Sequence, residues 1–197
     1  PILEPALLYG GAPCKALKHK FLMAQESECL DIASPEFPAE IEVIPLHGHI
    51  FDMVGYRTPD DVVFLADCVS SAATLEKYKI GYLYDVQAYL DTLDFVDTLS
   101  AKLFVPSHTE PTEDIRELTE INRRSVLEVR DKILSVCADP MNFEAILQRI
   151  FTDYGLTLNF EQYALIGSTL RSYLSWLLDT GKLAVSFEDN MLLWKTV

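Results

Sequence analysis

The chain has 197 residues and carries 30 acidic against 16 basic ones, a formal charge of −14. That balance repels polyanions, so generic nucleic-acid or anionic-membrane binding is unfavourable. A 49% hydrophobic fraction with 11% aromatics supports a packed core and excludes disorder, and no apolar run reaches the length of a membrane span.

Residues 1–20 hold Gly10-Gly11 and Pro13, which break any helix early, and neither phosphate-loop spacing is present. His19 sits among Lys15, Lys18 and Lys20 and reads as a surface histidine. Phe21–Ala24 reads as a short strand. Residues 25–40 are acidic and broken by Pro35 and Pro38, mainly a loop with room for one strand around Cys29–Ile32.

Ile41–Pro45 is the first clear buried strand. It ends in P-L-H-G-H at 45–49. After His49, F-D-M-V-G-Y-R-T reads as a second strand, P-D-D at 59–61 as a turn, and Val62–Ala66 as a third strand antiparallel to the second and closed by Asp67. The stretch 68–84 shows no sustained period and reads as a long connection. Its Tyr78, Tyr82 and Tyr84 are candidates for lining a pocket, or else half-buried packing residues.

Asp85–Ser100 has helical spacing with one wide apolar face. Leu103–Pro106 is the next strand and leads into Ser107-His108. A helix follows from Thr112-Glu113-Asp114 to about Cys137, with acids in its first turn and a solvated charged face. Asp139-Pro140 is the best boundary, giving a unit of 1–138 and a unit of 139–197. The second unit reads as a helix over Phe143–Tyr154 and a helix capped by Asn159 that Gly167-Ser168-Thr169 is able to split. A hairpin of Leu183–Phe187 and Met191–Trp194 ends it. That order is winged-helix-like. From 141 onward there are four bases and six acids, and a duplex reader normally shows a basic face, so interface use is favoured. The four cysteines, at 14, 29, 68 and 137, make no CxxC and read as reduced thiols of a cytoplasmic protein, with Cys68 packed inward.

Three apolar runs therefore deliver His49, Asp67 and His108 at their ends. Imidazole and carboxylate are ligands of hydrolytic divalent metals. Taken singly, a His at a strand end is more often a hydrogen-bonded structural residue than a metal ligand. In that order, G-H, A-D and P-S-H resemble the C-terminal half of the metallo-β-lactamase fold hydrolases, in which P-G-H, G-D and a final P-x-H supply ligands on strand ends of an αββα sandwich. The resemblance covers about residues 1–138. The C-terminal unit resembles that of the subgroup of lactamase-like ribonucleases and related hydrolases.

The resemblance implies an α/β (α+β) fold, half of an αββα sandwich followed by a winged-helix-like unit. It implies metal ligands at His49, Asp67 and His108, with Asp67 also catalytic as the carboxylate bridging two Zn²⁺ (or Fe/Mn) ions. A metal-bound hydroxide would then attack an ester, thioester or related small-molecule substrate. His47 stands where the family has Pro; with Tyr78, Tyr82 and Tyr84 it is a candidate substrate contact. The family's H-x-H-x-D-H is absent. The expectation is thus a chain that begins after that motif, binds metal weakly or not at all alone, and covers its open sheet by homodimerising. A non-catalytic interaction module with vestigial ligands and an RNA-processing nuclease are the other readings.

Overall fold

The computed structural model describes residues 9–18 and 30–197. The strand expected at Phe21–Ala24, His19 and Cys29 lie outside the described residues. Residues 30–40 run as turns, and α1 is the single helical turn Lys15–Lys18.

A four-stranded sheet organises residues 42–108. β1 (Glu42–Pro45), β2 (Val54–Arg57), β3 (Val62–Ser70) and β4 (Leu103–His108) lie in the order β1-β2-β3-β4. The first two pairings are antiparallel and β3–β4 is parallel. The β2–β3 turn is held by the Thr58 hydroxyl, which donates to Asp60 at 2.6 Å, and by Asp61 in the left-handed region at φ 66°. One sheet face is buried through Ile44, Val63, Leu65 and Phe104. The opposite face carries Phe64, 42% exposed, over a shallow groove shared with Tyr56, Val105 and Pro106.

Two expectations need correction here. β3 does not stop at Ala66. It bulges there, with Ala66 at φ 46° and two register shifts against β4, and then continues to Ser70. The connection 68–84 contains a helix, α2 (Ala72–Tyr78), whose N-cap Ser71 accepts from Thr74 N–H. No residue of α2 is buried, so no apolar period marks it.

α3 (Val86–Asp97), capped by Asp85, buries Val86, Tyr89, Leu93 and Val96 against the sheet. α4 (Arg116–Val136) buries Thr119, Asn122, Val126, Val129 and Ile133, a stripe at three- and four-residue spacing that includes two polar side chains. α5 (Phe143–Asp153) and α6 (Phe160–Asp179) start at the caps Asn142 and Asn159. Gly167 does not split α6: it is buried inside an unbroken helix, packed against Phe143 and Arg171. The segment after Asp139 thus supplies two helices and a hairpin, and a third helix is reached only by counting α4. β5 (Leu183–Glu188) and β6 (Met191–Thr196) join through Asp189 and Asn190, both at positive φ as a two-residue hairpin turn requires. One hydrophobic cluster runs from Ile44 on the sheet through Cys137 to Ile146, Leu174 and Leu183, across the Asp139-Pro140 step.

Candidate functional site

Each of the three residues at the rim owes its place to its own local device. His49 follows a tight loop that only glycine permits at its centre. Gly48 has φ 112°, and a Cβ there would stand 2.2 Å from Tyr89 N. Its carbonyl accepts from both Tyr84 N–H and Asp85 N–H at 3.0 Å, while the Thr92 hydroxyl donates to His47 C=O at 2.8 Å. The loop is thereby stitched to the start of α3.

Asp67 lies in the bulged stretch of β3. Downstream of it, the buried Asn122 side chain clamps Ser70 from both sides: Ser70 N–H donates to Oδ1 at 3.1 Å and Nδ2 donates to Ser70 C=O at 2.8 Å. The Tyr89 hydroxyl donates to Cys68 C=O at 2.8 Å. His108 ends β4, the parallel neighbour of β3.

These devices bring the three side chains together. His49 Nε2 is 3.7 Å from Asp67 Oδ2, and His108 Nε2 is 3.2 Å from Asp67 Oδ1. Each imidazole thus addresses a different carboxylate oxygen. Exposure rises from His49 at 24% through Asp67 at 39% to His108 at 52%, so the group forms a rim open to solvent on the His108 side. Burial lowers the pKa of His49 below its ordinary value, partly opposed by the Asp67 carboxylate and by a backbone hydrogen bond with Tyr82, which favours the neutral imidazole that a metal or a proton acceptor role needs.

The remaining candidates separate into two groups. Tyr78 and Tyr82 line the cavity behind the rim, and the Tyr82 ring meets His49 edge-on at 5.5 Å. Tyr84 and His47 do not line it. The Tyr84 ring packs on Phe51, and His47 Nδ1–H donates to Phe51 C=O at 2.8 Å, which ties its ring to its own loop. Cys68 is fully buried, and burial pushes its thiol up to about 12. Sequence reasoning missed Tyr89, Asn122, Gln162 and Tyr173, all of which line the same cavity. For Asn122 there was a signal: it is a polar residue set in the apolar stripe of α4. Gln162 and Tyr173 come from α6, far along the chain, and had none.

A metal fits this donor set only in part. Each of two ions sharing Asp67 would receive one imidazole nitrogen and one carboxylate oxygen, where a catalytic zinc takes three protein ligands. Among the described residues no group of three or more His, Cys, Asp and Glu is arranged to hold an ion. The described residues therefore do not by themselves fit a metal ion.

No protein-family model matches the sequence, and no curated protein matches it. Solved structures do resemble the fold. A beta-lactamase domain protein from Burkholderia ambifaria superposes with a TM-score of 0.68 at 17% identity, over 88% of this chain and 52% of that one. A metallo-beta-lactamase family protein from Thermus thermophilus gives 0.66 at 13% identity, over 100% of this chain and 64% of that one. The fold is a mixed α/β, metallo-β-lactamase-like one. The chain spans between about half and two thirds of the length of these two proteins.

Proposed function

We propose that the chain is the C-terminal part of a metal-dependent hydrolase of the metallo-β-lactamase superfamily, acting on a small ester, thioester or related substrate. One observation carries this reading: a single carboxylate, Asp67 on the bulged β3, turns its two oxygens to two different imidazoles, that of His108 at the end of the adjacent β4 and that of His49 in the loop after β1. A carboxylate so placed suits the bridge between two divalent ions, zinc first and iron or manganese next. The further ligands that each ion needs would come from sequence outside the described residues. Asp67 sets the spacing of the two imidazoles, and His49, held neutral by burial, is ready to donate a lone pair. The acidic balance of the chain disfavours a nuclease. Free Cys14, Cys68 and Cys137 suit a reducing, cytoplasmic setting, and among the described residues no helix is long and apolar enough to cross a membrane.

The test is hydrolysis of p-nitrophenyl and thioester substrates by the full-length gene product supplied with Zn²⁺ or Mn²⁺. Activity is expected, and its loss in Asp67→Asn with the fold retained. An Asp67→Asn variant as active as the parent would defeat the proposal.

A second reading, an interaction module, is favoured by the open sheet face around Phe64 and Tyr56. The two readings share a consequence: in the isolated chain we expect a second copy to cover that face, because exposed apolar sheet surface seeks a partner. Sedimentation velocity should show a dimer that Phe64→Glu dissociates. A monodisperse monomer at all concentrations would contradict it.

A further inference from the structure

The cavity behind the rim, about 570 Å³, is within the range of small-molecule sites, and one of its walls is α2. Five of the seven residues of α2 line it: Ala73, Thr74, Leu75, Lys77 and Tyr78. Yet α2 has no buried residue. Every hydrogen bond, ion pair and ring contact that residues 71–79 make with described residues ends inside the stretch 71–80. Ser71 caps Thr74 N–H, Lys77 sits over the Tyr78 ring, and Lys79 pairs with Glu76. A helix with few buried contacts and no polar tie to the body belongs to the least stable part of a fold. The chain on either side is fixed. Before α2, Asn122 clamps Ser70 at 3.1 and 2.8 Å. After it, Ile80 is 4% exposed in the core and Leu83 N–H donates to the Thr169 hydroxyl at 3.3 Å. Between α2 and Ile80 stands Lys79, at φ 60° and ψ −48°, with Ile80 N–H donating to Tyr78 C=O at 2.6 Å. That is a γ-turn of the rare positive-φ form, strained for any residue with a Cβ.

We propose that α2 is a lid on the cavity. It pivots between Ser70 and Ile80, with the Lys79 turn as its strained hinge, and its outward swing opens the cavity to a ligand. The structure holds the lid closed. On opening, Lys79 relaxes to negative φ, which offsets part of the contact that α2 loses. The swing carries Lys77 and Tyr78 away from the cavity and leaves His49, Asp67 and His108 in place, since none of the three lies on the moving segment. Closure shields the cavity from water once a ligand is inside. The lid concerns access and stands whether or not the protein is a hydrolase.

The test replaces Lys79 in the 197-residue chain by Gly, which takes this φ without strain, and by Val, for which it is an outlier. Both variants lose the ion pair with Glu76, so comparing them isolates the turn. Hydrogen exchange followed by mass spectrometry should show the α2 amides exchanging at least about fivefold faster in Lys79→Val than in Lys79→Gly, with α3 and α4 alike in the two. Lys79→Ala takes the place of Lys79→Val if the latter does not fold. Access to the cavity is read separately, with N-ethylmaleimide on Val126→Cys in a Cys14→Ser, Cys29→Ser background. Val126 lines the cavity from α4 and is 5% exposed. Labelling at position 126 should be faster in Lys79→Val than in Lys79→Gly by the same factor as the α2 amides. Cys68 and Cys137 are buried in the core and should stay unlabelled, which excludes global unfolding as the route. Equal α2 exchange in the two variants, or equal labelling at position 126, would overturn the proposal. So would α2 exchange that rises only together with that of α3 and α4, since α2 would then be a fixed wall.

Discussion

Gly48→Ala should cost about 3 kcal/mol or more of stability and displace His49. The added Cβ would stand 2.2 Å from Tyr89 N and 2.3 Å from Tyr89 Cα. These are main-chain atoms in the first turn of α3, so no side-chain rotation relieves the clash. The left-handed φ of 112° adds strain for any residue with a Cβ. Overpacking of this kind costs about 1–3 kcal/mol and the backbone strain about 1–2 more. For a chain of this size that is a drop in melting temperature of roughly 6–12 °C. To relax, the loop must move off α3. It would then lose the two hydrogen bonds into the Gly48 carbonyl and carry His49 away from Asp67. Thermal unfolding followed by circular dichroism checks the first part, and loss of the His49–Asp67 contact in a crystal structure checks the second. A variant with an unchanged melting temperature would mean that the loop is not packed on Tyr89.

Asn122→Leu is the second large effect. Leucine approximates the shape of asparagine but leaves Ser70 N–H and Ser70 C=O without their side-chain partner, in a site where Asn122 is 3% exposed. Each main-chain group stranded in this way costs about 1–3 kcal/mol, so a loss of about 2–6 kcal/mol is expected. Urea unfolding measures it. The damage should reach Asp67, three residues upstream on the same bulged strand. Tyr89→Phe removes the hydroxyl that donates to Cys68 C=O at 2.8 Å and lies 3.3 Å from Asn122 Oδ1, and should cost less, about 1 kcal/mol. Should Asn122→Leu prove no worse than Tyr89→Phe, the clamp would have little part in holding the strand.

Much of this arrangement was legible in the chain. Strands rich in Val, Ile and Phe declare themselves by composition, and a Pro-Asp-Asp turn between two of them sets an antiparallel pair. Asn159 announces a helix start because its side chain caps a free N–H group, and Asn142 does the same for α5. The bulge at Ala66 was not legible: it comes from register against β4, which a linear reading does not contain. α2 escaped because a two-turn helix with no buried residue carries no apolar period, leaving only the Ser71 cap to betray it. Gly167 misled in the other direction. An interior glycine suggests a break, but here packing against Phe143 and Arg171 outweighs the modest helix cost of glycine. At the site, the apolar runs pointed to the three residues of the rim, but only His108 ends its strand: Asp67 lies within β3 and His49 in the loop beyond β1. The cavity behind it is built largely from α4 and α6, by residues whose neighbours are distant in sequence. Tyr84 and His47 lie close to the rim in sequence but are anchored to Phe51.

Zinc titration of the 197-residue chain by calorimetry bears most directly on the shared Asp67 carboxylate. Two half-liganded positions should give at most weak binding, with Kd above about 1 μM and heat abolished by Asp67→Ala, far below the roughly 10–16 kcal/mol of closed structural zinc sites. Two tight sites, or zinc heat indifferent to Asp67→Ala, would show that metal is held elsewhere and that the rim is not one edge of a metal centre.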